Sequence, residues 1–278
     1  MTQTYPDHPN LNDNYAPLRM ECEVNDLIVE GEIPQDLYGS FYRNGPDPQF
    51  PPLGQYHWFG GDGMVHAFHF ENGKISYLNR WSKTSKWLQE RKAGKSLIDG
   101  LNPMNSDPQW NPEGSDGTAN TNIIFHAGKL LALEEGHVPF ELDPITLESK
   151  GAYDYGGKLK SPMTAHPKID PVSGDMYGFS YTAENFFSSK MSYFVINSLG
   201  ELKTYEEFEA PFASMVHDFM VTDQHIIFPI FPLTIDFDRV VKGQSPIAWD
   251  PDKGTHVGVM PRNGSVADIQ WFDNDARY

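Results

Sequence analysis

Short apolar or alternating runs, each closed by turn residues, recur from end to end of this chain, and long amphipathic helices do not. The run "MVHAFHF" (64–70) meets "KISYLNRW" (74–81) across "ENG", "NIIFHAG" (122–128) meets "KLLALEEG" (129–136), and "DMYGFSYTA" (175–183) meets "MSYFVINSLG" (191–200). Next come "SMVHDFMVT" (214–222) with "HIIFPIF" (225–231), then "HVGVMPR" (256–262) with "DIQWFD" (268–273). Each pair reads as an antiparallel hairpin. The 24 Gly and 22 Pro fall largely at the breaks, as a fold with many turns requires. Only "KTSKWLQERKAGKSLI" (83–98) is long and plain enough for a helix or an extended loop. The pattern predicts an all-β fold, a propeller or a sandwich. Propeller blades of ~40–45 residues would make this length roughly six blades, and no repeat is strict enough to fix the number.

Composition narrows the partners. The 278 residues, 39% hydrophobic and 13% aromatic, suffice for a large core. A formal charge of −17 argues against nucleic acid, which needs clustered Lys and Arg. Cys22 is alone, so neither a disulfide framework nor a cysteine zinc site is expected, and a reducing cytoplasm suits the chain. The N-terminal stretch "MTQTYPDHPNLNDNYAPL" has no signal-peptide pattern, and no run has the length of a membrane span.

Most of the ten histidines have bland readings. His66 and His69 stand three apart on a strand and so face opposite sides, unable to share a metal. His8, His57, His137 and His256 lie in loops or at turn edges, and His126 and His225 lie beside hairpin turns; all six read as exposed or locally bonded. His166 in "MTAHPKID" and His217 in "SMVHDFMVT" sit in small or polar settings at strand edges, where a neutral imidazole could ligate iron, zinc or copper. Fifty-one residues of separation leave that reading open on pattern alone.

Five stretches, in order, carry a family resemblance: "GSFYRNGPDPQF" (39–50), "WFGGDGMVHAFHFENGKISYLNRW" (58–81), "ANTNIIFHAGKLLALEEGHVPFELDPITLES" (119–149), "SPMTAHPKIDPVSGDMYGFSY" (161–181) and "MVHDFMVTDQHIIFPIFPL" (215–233). Together they resemble the carotenoid cleavage oxygenases, a family that includes the lignostilbene dioxygenases. The resemblance implies a seven-bladed β-propeller with one ferrous ion, Fe(2+), held on its axis by four histidines. His166 resembles the first of these ligands and His217 the second. Glu135 resembles a carboxylate that orients a ligating imidazole. Phe231, Pro232 and Leu233 resemble part of the substrate tunnel, and Phe186 and Phe187 are candidates for the same region; the bland reading of them is as core aromatics, and taken singly each fits that reading slightly better. Residues 30–278 then form the N-terminal portion of a single propeller, about four blades, behind an extension over 1–29.

The implied activity is dioxygenase cleavage of a carbon–carbon double bond, with O2 and an apolar polyene or stilbene-type molecule as partners. Four neutral imidazoles would leave an octahedral iron open positions for dioxygen. Stilbene-cleaving members carry a lysine just before the glutamate of the "LLAL" motif, and here that position is Glu134. This favours a carotenoid or apocarotenoid over a lignostilbene. A polyene-binding protein without iron chemistry is the competing class, and a retinoid isomerase a third. Peripheral membrane contact is compatible with a polyene substrate. The pattern breaks off at Tyr278, before the third and fourth histidines, so the 278-residue chain alone is expected to be an inactive fragment with open sheet edges.

Overall fold

The structure is a computed structural model that describes residues 4–99 and 105–275. The chain divides into two compact units, the first comprising residues 1–134 and 139–153, the second 135–138 and 154–278.

The first unit holds two four-stranded antiparallel sheets. Strands β1 (Cys22–Val24), β2 (Gly39–Pro46), β3 (Gly63–Glu71) and β4 (Lys74–Trp81) order as β1-β4-β3-β2. Part of the segment read as an N-terminal extension is therefore an edge strand. Strands β5 (Asn122–His126), β6 (Lys129–Leu133), β7 (Phe140–Leu142) and β8 (Ser149–Ala152) form a simple meander. Asn72 and Gly73 turn the first hairpin with φ of 52° and 71°, and Ala127 and Gly128 the second with 49° and 77°. Two consecutive left-handed residues give the turn twist that matches paired strands. Val65, Ala67 and Leu78 of the first sheet pack on Leu130, Ala132, Phe140 and Leu142 of the second. Between the sheets in sequence runs helix α1 (Ser85–Ala93), capped by the Thr84 hydroxyl and ended by Gly94 in the left-handed region. It is the one part of 83–98 that is helical.

The second unit repeats the plan. Strands β9 (Lys168–Ile169), β10 (Met176–Ser180), β11 (Lys190–Ile196) and β12 (Leu202–Glu209) form one meander. The other sheet is β13 (Met220–Val221), β14 (His225–Ile230), β17 (Thr255–Pro261) and β18 (Gln270–Asn274). Between β14 and β17 the chain makes an excursion, a small hairpin of β15 (Leu233–Ile235) and β16 (Ile247–Trp249) with the short helix α2 (Phe237–Val241) in its loop. The core between the sheets is aromatic: Phe179, Phe219 and Phe228 lie with ring centroids 4.9 to 6.2 Å apart. Four four-stranded antiparallel sheets match the expected four propeller blades.

One expected strand is mostly absent. Of 214–222 only Met220–Val221 pairs with β14; Ser214 bridges to Thr234 and the Met215 amide donates to the Leu233 carbonyl. The sequence supplies a reason. In β14, residues 225, 227 and 229 turn their peptide groups toward β13, as the Thr222 amide bond to the His225 carbonyl shows. Pro229 has no N–H to offer there. Continuing the Met220–Ile227 register by two residues would set Asp218 opposite Pro229, and at that point the chain leaves the sheet.

Candidate metal centre

His217 stands on the segment that peels away from β14. Val216 and Phe219, each 2% exposed, anchor that segment in the core on either side of it. His166 stands two residues before β9, in a loop fixed by its own sequence. The Thr164 amide donates to the Phe179 carbonyl (2.8 Å), and the Thr164 hydroxyl accepts from the His166 amide (3.0 Å). Pro167 confines His166 to extended backbone. The two histidines, 51 residues apart, meet: their Nε2 atoms are 3.0 Å apart and their ring centroids 4.5 Å.

Glu135 joins them from the 135–138 stretch of the same unit. One of its oxygens, Oε1, pairs with His217 Nδ1; the other, Oε2, accepts from the Tyr181 hydroxyl at 2.7 Å. An ionised carboxylate only accepts, so His217 carries its proton on Nδ1 and keeps the Nε2 lone pair. Burial and the neighbouring His217 hold the His166 pKa below that of an ordinary histidine. Lys168 and Asp218 pair at 2.7 Å alongside.

This donor set fits a metal. Neutral imidazole nitrogens that converge are a donor set that a metal takes, and 3.0 Å is also an ordinary N–H···N distance. Among the described residues no group of three or more His, Cys, Asp or Glu stands where it could hold a metal ion.

An apolar groove of about 490 Å³ opens beside His217, lined by Met215, Phe219, Met220, Phe231, Leu233 and Trp249 among others. Phe231 and Leu233 therefore share a cavity with the histidine. Pro232 does not line it; its carbonyl accepts from the Asp250 amide (2.7 Å) and closes the excursion. Phe186 and Phe187 form a separate cluster, stacked edge to face on each other and, through Phe187, on Phe237 at 5.2 Å.

Five of the other eight histidines have a local polar partner. His66 Nδ1 is 2.8 Å from the Tyr77 hydroxyl and His69 Nδ1 is 2.6 Å from the Ser40 hydroxyl. His8 and His57 accept backbone amides, and His256 lies 3.1 Å from the Lys253 carbonyl. His126 ends β5 beside the Ala127–Gly128 turn, where expected, and is buried there at 7% exposure. Tyr181, Met215, Met220 and Trp249 escaped the sequence reading. The first follows β10 and gains its place from Glu135, far along the chain, and Trp249 reaches the groove only because β16 pairs back on β15.

A set of propeller blades whose loops bring two histidines and a glutamate together defines a protein of the β-propeller class. Residues 15–278 match the family RPE65, retinal pigment epithelial membrane protein, and the chain belongs to this family of carotenoid cleavage oxygenases. It is 42% identical to an isoeugenol monooxygenase of Pseudomonas putida over 268 residues, 95% of this chain and 55% of that protein. It is 42% identical to a lignostilbene-alpha,beta-dioxygenase isozyme III of Sphingomonas paucimobilis over 274 residues, 96% of this chain and 56% of that one. The crystal structure of Pseudomonas brassicacearum lignostilbene dioxygenase superposes with a TM-score of 0.92 at 40% identity, covering 98% of this chain and 57% of that one. Cobalt-substituted Synechocystis ACO superposes with a TM-score of 0.78 at 29% identity, over 94% of this chain and 58% of that one. The chain thus spans about half the length of the curated relatives it matches.

Proposed function

We propose that the whole protein is a non-haem Fe(II)-dependent oxygenase that splits a carbon–carbon double bond with O2. The observation that carries this reading is the 3.0 Å convergence of two imidazole Nε2 atoms, one of them oriented by a carboxylate. His166 and His217 supply two of the iron ligands, and the remaining ligands come from outside this span. Bound ferrous iron supplies the activation of dioxygen. The chain's own residues hold the ligand nitrogens deprotonated and offer the alkene an apolar surface that excludes water. The overall reaction balances as R–CH=CH–R′ plus O2 giving two aldehydes.

For the substrate we place aryl alkenes of the isoeugenol or stilbene type first. The support is similarity at 42% identity to proteins named for such substrates, spread over nearly the whole chain. Glu134, a single position, favours a carotenoid or apocarotenoid and keeps that as the second reading. Among the described residues no helix is long and apolar enough to cross a membrane. Exposed Phe186, Phe187, Phe237 and Val241 support peripheral membrane contact.

The test offers isoeugenol, a hydroxystilbene and an apocarotenal to the iron-loaded whole protein under O2, with carbonyl products followed by mass spectrometry. An aldehyde pair from an aryl alkene is expected. Turnover of the apocarotenal alone would transfer the proposal to the second reading. Tight binding without any carbonyl product would replace the oxygenase with a binding protein.

A further inference from the structure

Tyr181 follows β10 and is 9% exposed, its ring part of the aromatic core of the second unit. Its hydroxyl donates to Glu135 Oε2 at 2.7 Å while Glu135 Oε1 pairs with His217 Nδ1. We propose that Tyr181 is a positioning residue of the metal centre: by pinning the far oxygen of Glu135 it fixes the place and plane of the carboxylate, and so holds His217 as the Nδ1–H tautomer with its Nε2 lone pair turned toward His166. The inference rests on the reading of His166 and His217 as metal ligands.

The terminal torsion of a glutamate is broad, so the angle at which a carboxylate meets an imidazole depends on what bonds its other oxygen. Glu135 stands in a turn after β6. A phenol donating to the far oxygen removes that freedom, because a charge-assisted bond from a core-anchored ring fixes both position and angle. A carboxylate held in this way accepts from Nδ1–H and leaves Nε2 facing His166. Removing the hydroxyl leaves the ring's packing intact, since phenylalanine fills the same space. The packing role and the positioning role are therefore separable.

The experiment uses the whole protein labelled with 15N-histidine, as wild type, Tyr181→Phe, Glu135→Gln, Glu135→Ala and the double variant Glu135→Ala/Tyr181→Phe. In the metal-free protein the two ring nitrogens of His217 are followed by NMR, and Co(II) affinity is titrated separately. Wild type is expected to show a protonated Nδ1 and an unprotonated Nε2. Tyr181→Phe is expected to broaden and shift the Nδ1–H signal and to weaken Co(II) binding by about 3- to 10-fold, less than loss of the orienting carboxylate itself. In the Glu135→Ala background, which removes the acceptor altogether, Tyr181→Phe should add nothing, because its effect passes through Glu135. Unchanged His217 nitrogens in Tyr181→Phe, or an equal loss in both backgrounds, would overturn the proposal. Should Tyr181→Phe fail to fold, 3-fluorotyrosine incorporation strengthens the phenol as a donor and must move the Nδ1–H signal the opposite way; no movement overturns the proposal equally. Wild type that fails to bind Co(II) would count against the metal reading, while the nitrogen signals still decide whether Tyr181 sets the tautomer.

Discussion

Two polar clusters, one in each unit, use similar ingredients to opposite ends. In the first unit Lys86 lies between Asp62 (2.7 Å) and Glu90 (2.9 Å), all three side chains at most 7% exposed. The remaining carboxylate oxygens accept from the Gln49 amide, the Ser96 hydroxyl and the Leu97 amide. Every partner is internal, and the cluster ties α1 to the strands. In the second unit Tyr181, Glu135, His217 and His166 form a chain of four, yet His217 is 53% exposed and the chain ends on two convergent nitrogens. A saturated cluster holds a fold together; one that ends on a lone pair is built to hold something else. The contrast predicts that damage to the first will be read in stability and damage to the second in chemistry.

The sharpest way to break that contrast is His217→Ala. Activity of the iron-loaded whole protein should fall at least about 1000-fold, since a metal site that loses a ligand loses its chemistry. Unfolding free energy should move by less than about 1 kcal/mol, as for other half-exposed side chains. Lys86→Met should do the reverse. Stranding two buried carboxylates costs about 3–5 kcal/mol in urea unfolding of the first unit, and converting Asp62 and Glu90 to apolar residues as well should recover most of it. A loss below ~1 kcal/mol for Lys86→Met would put the cluster in the class of weak surface pairs.

Glu135→Gln comes next: metal affinity should drop about 10- to 100-fold with little change in stability. The smallest effect concerns pH. Burial pushes Asp47 of the first unit up to about 6, so its fold favours the protonated acid. That contribution is complete below the ordinary carboxylate range and is lost as pH rises through about 6. Asp170 of the second unit is held well below that range by hydrogen bonds from Arg262 and from the Ser173 and Val172 amides, so its contribution is present above the range and lost as pH falls through it. Hydrogen exchange, corrected for intrinsic rates, should show protection near Asp47 greater at pH 5 than at pH 7, and protection near Asp170 failing only in stronger acid. Parallel responses would erase the distinction between the units.

How much of this could be read beforehand varied with the physics. The hairpins were legible because a two-residue period and an Asn-Gly turn are local signals. The histidine pair was not legible from pattern, since nothing in 51 intervening residues reports that two loops converge; the family resemblance supplied that step. Tyr181 and Trp249 were hidden for a related reason, because each gains its role from a partner far along the chain. The 214–222 run misled because alternation predicts a strand wherever it occurs, while a proline on the neighbouring strand decides whether one forms.

That proline, Pro229, also governs which way an imidazole looks. Side chains two apart on a strand share a face, so a fully zipped 217–219 would send His217 in the same direction as Phe219, into the aromatic core. Irregular backbone is what lets one residue anchor while the other reaches Glu135. A substitution such as Pro229→Val, by supplying the missing donor, would invite the strand to lengthen and swallow the histidine. The centre owes its outward nitrogen to a proton that a neighbouring residue lacks.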